Sequence, residues 1–137
     1  MSLLIELGSL VEGWGHGSMA TSPASIQLGR WSGKPQNLVA LITTLGRRAD
    51  RVMGEGLAGT VYDQPHVQVY VRRLDPLQAF DDSWDLYNKF NYFHGTVQGA
   101  RYALIEAINP PFSMGVTEND NLMQYSFNLH VRRAPTP

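Results

Sequence analysis

Hydrophobic positions recur every three or four residues in two segments of the chain, and this period predicts two amphipathic helices. The apolar positions of the first segment are Leu3, Leu4, Leu7, Leu10, Val11 and Trp14. Ser2 suits the N-cap of this helix, and Gly13 or Gly15 suits its end. The second segment opens with Asp75-Pro76, because aspartate favours the N-cap and proline favours the first helical position. We expect Gly95 to end the second helix and its inner stripe to be Leu77, Phe80, Trp84, Tyr87 and Asn91.

A period of two predicts strands elsewhere in the chain. The alternation is clearest over 123–132 and over 66–73, where apolar side chains occupy every second position. Residues 38–44 and 101–108 are rich in aliphatic side chains, which is typical of strands with a large buried surface. Residues 25–31 alternate weakly and predict an edge strand.

Residues 45–65 lack periodicity, and they contain three arginines and four glycines. Such a length is unusual for a loop in a compact domain and indicates a functional or mobile segment. The alternative is a twisted hairpin arm in which 60–62 are extended. Residues 133–137 are expected to form a loose tail.

The order of elements is helix, three strands, helix and two strands. Short connections and strands with one polar face favour antiparallel pairing. We therefore expect a single domain over residues 1–137, with an α+β fold in two layers: a largely antiparallel mixed sheet with both helices packed on one face.

Composition narrows the class of function. Eleven basic and twelve acidic residues give a net charge of -1, which disfavours a protein that reads nucleic-acid sequence. The charged fraction of 17% is low, so part of the surface is expected to contact other proteins. The absence of cysteine excludes disulfides, thiolate metal sites and cysteine nucleophiles. The start of the chain has no basic n-region and no apolar run approaches a membrane span, so neither signal peptide nor membrane contact is expected.

Motifs for catalysis are missing, and we expect no enzyme activity, no cofactor and no metal. Residues 54–59 match G-x-G-x-x-G, but 51–53 make a poor strand and 60–65 do not read as a helix start, so a flexible loop explains them better than a nucleotide site. The aspartates at 81, 82 and 85 are best explained as a solvated helix face, with one favourable pair between Asp85 and Lys89 four residues later. His66 and His130 lie on polar faces of predicted strands and would meet if those strands pair. Two imidazoles alone make an incomplete metal site.

Arg47, Arg48 and Arg51 form the one basic cluster. Two interpretations explain them equally well. One is an ordinary solvated loop, and the other is a loop that contacts an acidic partner surface, or the phosphates of passing DNA without reading its sequence. Aromatic residues near the second helix exceed what one contact with a sheet needs, which is typical of interfaces. The candidate residues for subunit contact are Tyr70, Phe90, Tyr92 and Phe93.

Three segments resemble those of phage minor capsid proteins and tail terminators. Tyr62–Arg72, with the sequence YDQPHVQVYVR, is similar to a "YDxPxVQVxVR" stretch of these proteins. Residues 100–108, with Pro111-Phe112 and Gly115 after them, are similar to the next strand and loop. Residues 125–131 are similar to the closing strand.

The N-terminal helix and Leu28-Gly29 fit the same order, whereas 45–59 and 114–121 do not match it. The resemblance implies a tail terminator of a long, flexible-tailed phage. Such a protein forms a hexameric ring on the tail tube at its head-proximal end, stops tube polymerisation and provides the surface to which the capsid neck joins. The implied partners are further copies of the chain, the major tail tube protein and a capsid neck protein.

The resemblance further implies that genomic DNA passes through the lumen of the ring without sequence readout, and that the virion is assembled in the host cytoplasm. Two alternatives stay open. One is another ring-forming protein of the head–tail neck, or the equivalent subunit of a gene transfer agent or tail-like particle. The other is a small α+β domain that binds a small ligand.

Overall fold

The computed structural model describes residues 3–21, 24–30, 34–51, 61–117 and 121–134, with the backbone alone at 45–51 and 61–62. The predicted cap at Ser2 and the glycine motif at 54–59 lie outside these residues. The elements are α1 (Leu3–Gly13), β1 (Ile26–Leu28), β2 (Leu38–Arg51), β3 (Val61–Arg73), α2 (Pro76–Phe90), β4 (Phe93–Val97), β5 (Ala100–Ala107), β6 (Phe112–Val116) and β7 (Met123–Ala134).

The strands form one mixed sheet in the order β1-β2-β3-β7-β5-β4, with β6 also paired to β7. β1 runs parallel to β2, and the other pairs are antiparallel. One long side of β7 is paired to β3. On its other side, β6 pairs with the first half of β7 and β5 with the second half.

Both helices cover the same face of this sheet, here called the helix face. Leu7 and Val11 of α1 and Leu86 and Phe90 of α2 belong to one buried cluster. The sheet side chains of that cluster are Ile26, Val39, Leu41, Val67, Val69, Val71, Val97, Ala100, Tyr102, Ile105, Phe127, Leu129 and Val131. The predicted α+β class, with two helices on a largely antiparallel sheet, is confirmed.

The start of α2 is as predicted, but its buried stripe is not. Asp75 caps the helix by accepting a hydrogen bond of 3.0 Å from the backbone N–H of Leu77. Leu77 itself is 77% exposed and Phe80 47% exposed, whereas the buried positions are Ala79, Ser83, Leu86 and Phe90. The small side chains at 79 and 83 allow the helix to approach the sheet closely, so packing space decided the face and aromatic content did not.

The second helix also ends earlier than predicted. Its C-cap is Asn91, and Tyr92 follows with a positive φ of 66°. Gly95, the expected helix end, lies within β4. A tight turn at Gln98-Gly99, with φ of 48° and 86°, joins β4 to β5 in the manner of a two-residue hairpin.

Residues 45–51 and 61–65 extend the β2–β3 hairpin, which confirms the arm alternative for these residues, whereas Thr60 lies outside the described part of the chain. Arg47 pairs with Gln64 and Arg51 with Val61, with register shifts on both sides of Arg47. A strand of 14 residues spans roughly 45 Å. We use the name arm for residues 45–51 of β2 together with residues 61–65 of β3.

The predicted tail at 133–137 is wrong at its first two residues. β7 continues to Ala134, and Arg133 is buried against α1. The physical reason is an ion pair with Glu6, 127 residues away in sequence, which no local pattern can indicate.

Candidate assembly surfaces

The three arginines of the basic cluster lie in the arm, on β2. Residues 47 and 51 have backbone partners in β3, and Arg48 lies between them. Their side chains lie outside the described part. The start of β2 is opposite Arg72, close to where α2 begins. Arg51 is 13 residues further along the strand, so the cluster and the start of α2 are roughly 40 Å apart along the sheet.

The four candidate interface aromatics occupy different environments. Tyr70 and Phe90 are buried within the chain. Phe90 packs edge-on against Trp14, with ring centroids 4.9 Å apart. Phe93 is half-buried, and Tyr92 is 69% exposed. Tyr70 and Phe90 therefore contribute to folding of the subunit, and the prediction of a subunit contact now rests on Tyr92 and the outer part of Phe93.

A further group of exposed apolar side chains lies at one end of the sheet, on both of its faces, where the sequence indicated no site. Its members are large hydrophobic side chains at the start of α2 and in or just before β6, and we call it the apolar end. They are Leu74, Leu77, Phe80, Ile108, Phe112, Met114 and Val116. The rings of Phe80 and Tyr125 are 6.0 Å apart, and Ser113 of β6 is opposite Tyr125. These contacts place β6 beside the start of α2.

β6 lies at an edge of the sheet. Among the described residues it pairs with β7 only, and all five of its residues are exposed. Exposed apolar edge strands are avoided in proteins that stay monomeric, because their unpaired backbone groups accept another strand. β6 is also why the sequence missed this surface: a strand without a buried face shows no alternation.

The aspartates of α2 are ion-paired. Asp82 accepts from Arg73 Nε at 2.8 Å, and Asp85 contacts His16 Nε2 at 2.6 Å and Lys89 Nζ at 3.0 Å. Burial raises the pKa of Asp85, but hydrogen bonds from His16 and Lys89 outweigh it and the pKa is lowered overall. These pairs tie the loop after α1 to α2. The predicted Asp85–Lys89 pair is confirmed, whereas Asp82 is not simply solvated.

A buried charge cluster joins α1 to the sheet. Arg133 donates from Nε to Glu6 Oε1 at 2.8 Å and from Nη2 to Oε2 at 3.0 Å, and the Tyr102 hydroxyl donates to Oε1 at 2.6 Å. Burial raises the pKa of Glu6, but the hydrogen bonds from Arg133 and Tyr102 lower it below its ordinary value. Burial and the Glu6 carboxylate raise the pKa of Tyr102. These contacts make the cluster a structural clamp between α1 and the sheet.

Other sequence predictions concern metals and membranes. His66 and His130 are opposite each other in β3 and β7, as predicted, with ring centroids 5.2 Å apart. Within the described ranges, no three His, Cys, Asp or Glu side chains form a group that could hold a metal ion. In the same part of the chain, neither helix has the length and apolar character needed to cross a bilayer.

Comparisons with known proteins concern protein families, curated proteins and solved structures. No protein-family model matches the chain, and no curated protein matches it. Among solved structures, the fold is similar to that of a chain in the virion of a native gene transfer agent particle, with a TM-score of 0.58 and 8% sequence identity. The match covers 98% of this chain and 100% of that chain. At this level of identity the likeness shows a shared fold.

Proposed function

We propose that this protein is a structural subunit of a phage-like virion and has no catalytic role. The observation that carries the proposal is the likeness of fold to a chain of a gene transfer agent virion over essentially the full length of both chains. Almost no part of either chain is left unmatched, and this supports a similar use of the whole fold. The buried polar groups support it too, because Glu6, Arg133 and Tyr102 are consumed by mutual contacts.

Within that class we propose a tail terminator. Copies of the chain form a closed ring, expected to be hexameric, on the head-proximal end of the tail tube. The ring stops tube polymerisation and provides the surface to which the capsid neck joins. The support is the resemblance of Tyr62–Arg72 and the later strands to tail terminators, together with the fold.

A ring formed head to tail needs two different complementary surfaces on each subunit. We assign the apolar end to the contact with the next copy. Phe80 and Val116 are about half exposed there, and β6 has an edge available for strand pairing. This surface is suited to a protein neighbour and not to DNA, since Asp75 and Asp81 are exposed in the same helical segment.

The arm is assigned to the tail tube or the lumen. It lies at the opposite end of β2 from the apolar end, so one subunit can contact two partners at once. Three arginines within five residues suit either an acidic protein surface or the phosphates of passing DNA.

Charge reversal of the arm tests this assignment. We expect the triple substitution Arg47→Glu, Arg48→Glu and Arg51→Glu to leave ring formation intact while lowering the yield of tail-joined infectious particles by about tenfold or more. Complementation of particle assembly, with electron microscopy of tails, measures the effect. The matched control reverses the same number of charges at Lys89, Arg101 and Arg132, which are exposed outside the arm. Equal yields from the two triple variants would contradict a specific role of the arm.

A second candidate is a subunit of a gene transfer agent, or another ring protein of the neck. The fold likeness favours it directly, because the similar chain belongs to a gene transfer agent virion. The two candidates differ in what the ring caps. A ring that binds neck components but never the end of a tail tube would favour the neck protein.

A further inference from the structure

The strands β1 and β6 lie at the two edges of the same part of the sheet. Direct partners follow one another from β1 through β2, β3 and β7 to β6. The residues of this row are Ile26, Val39, Val71, Tyr125 and Ser113. Among the described residues, β1 pairs with β2 alone and β6 with β7 alone. A subunit that contacts one neighbour through β6 therefore presents β1 at the same level on its other side.

A cleft of about 380 Å³ lies beside β1. Its lining is largely apolar and consists of Met19, Ala24, Ile26, Gln27, Leu28 and Arg30. Ile26 belongs to the main core cluster and Leu28 packs against it, so the cleft opens on the helix face of the sheet. An apolar cavity of about 150 Å³ already holds a benzene ring. The cleft beside β1 thus has room for an aromatic side chain together with a smaller one.

Part of the apolar end lies on the same face of the sheet as this cleft. Val116 of β6 is opposite Met123, and Met123 points to the same face as Phe127, which is in the main core. Phe80 lies on that face too, because it belongs to α2 and its ring contacts Tyr125. Val116 is 54% exposed and Phe80 47% exposed. Both side chains therefore keep apolar surface for a neighbouring molecule.

The charges around the two surfaces are opposite in sign. Asp75 and Asp81 are exposed in the segment that carries Phe80. Arg30 lines the cleft, and the nearby Lys34 is exposed as well. The acidic Glu12 is also close to the cleft, but its carboxylate accepts a hydrogen bond of 2.8 Å from the backbone N–H of Met19. Opposite charges around two apolar surfaces favour their association and fix its orientation.

We propose that the cleft beside β1 of one copy receives Phe80 and Val116 of the next copy, with Arg30 facing Asp81. The inference rests on the proposed ring and names its second surface. Because the two surfaces differ and belong to opposite edges of one sheet, each copy uses one of them on each side. A contact of this kind is heterologous, and it forms a ring when the rotation between copies closes.

Cross-linking tests which surfaces meet. The chain has no cysteine, so introduced cysteines are its only thiols. An equimolar mixture of Val116→Cys and Ala24→Cys, treated with a short bis-maleimide, is expected to give a cross-linked dimer. Neither variant should give a dimer when it is treated alone. The matched control pairs Val116→Cys with Ala103→Cys, since Ala103 lies in β5 and outside the cleft.

Filling the cleft tests its role in assembly. Ala24→Trp is expected to raise the concentration needed for ring formation by about tenfold or more, while the melting temperature stays near that of wild type. Light scattering coupled to size-exclusion chromatography, with and without purified tail tubes, measures assembly. Ala103→Trp is the control, because it fills a second cleft of about 210 Å³ beside β4 and β5 and should assemble as wild type does.

A charge swap tests the orientation of the contact. Arg30→Asp and Asp81→Arg should each weaken assembly by about tenfold, and the double variant should recover most of the loss. Rings that form in Ala24→Trp as in wild type, without the Val116–Ala24 cross-link, would overturn the cleft as the receiving surface and leave the ring itself standing. Failure of the double variant to recover would overturn the pairing of Arg30 with Asp81. Absence of any assembly of wild type, alone or on tail tubes, would overturn the ring and this contact together.

Discussion

Replacing Arg133 with methionine is expected to lower the free energy of unfolding by about 3–5 kcal/mol. The substitution removes the guanidinium that holds the fully buried carboxylate of Glu6, and it leaves that charge without its cationic partner. Urea denaturation monitored by circular dichroism measures the change. Arg132→Met is the matched control, because Arg132 is an exposed arginine at the neighbouring position of β7 and should cost less than about 0.5 kcal/mol.

The double variant Glu6→Leu/Arg133→Met separates the pair from its isolated charges. It is expected to lose less stability than the sum of the losses in the two single variants. Each single variant leaves one charge buried without its partner, whereas the double variant leaves none. Equal costs for Arg133→Met and Arg132→Met would show that the clamp does not form.

The same pair predicts how stability depends on pH. The pKa of Glu6 is lower in the folded chain than its ordinary value. Its contribution is therefore fully present above the ordinary pKa of a glutamate, and it is lost as the pH falls through the lower folded value. Wild type should lose more stability than Glu6→Gln over this acidic range.

Replacing Phe90 with alanine is expected to cost about 3–5 kcal/mol. Phe90 is completely buried against Trp14 and the sheet, so the substitution leaves a cavity in the main core. Phe80→Ala is the matched control on the same helix. Because Phe80 is 47% exposed, its loss should cost about 1 kcal/mol or less. Thermal unfolding of the two variants compares them directly.

Phe80→Ala also tests the apolar end. We expect it to keep a near-native melting temperature while weakening ring assembly, since Phe80 lies on the surface assigned to the next copy. A large loss of stability in Phe80→Ala, with little in Phe90→Ala, would contradict the face of α2 described above.

Local patterns predicted those elements that have one buried face and clear ends. β3 and β7 alternate because valine, phenylalanine and leucine face the helices at every second position. Asp75-Pro76 predicted the start of α2 because the cap depends on neighbouring residues alone. The exposed strand β6 lacked such a pattern, and Ala79 and Ser83 concealed the true inner face of α2.

The sequence predicted the position of candidate site residues only where the alternation of apolar and polar residues along a strand determines which face they occupy. The polar faces of two strands were enough to place His66 beside His130. The position of Glu106 opposite His130 became evident only once the register of β5 on β7 was known. The clamp between Glu6 and Arg133 likewise depends on topology, because the two ends of the chain meet only in the folded protein.

The central claim is that this chain forms a closed ring that caps tail tubes. Light scattering coupled to size-exclusion chromatography, over a range of concentrations and with purified tail tubes present, tests it most directly. We expect a species of about 92 kDa, six times the subunit mass of 15.3 kDa, or a monomer that binds tube ends and stops their growth. A chain that stays monomeric at every concentration and leaves tube growth unchanged would contradict it.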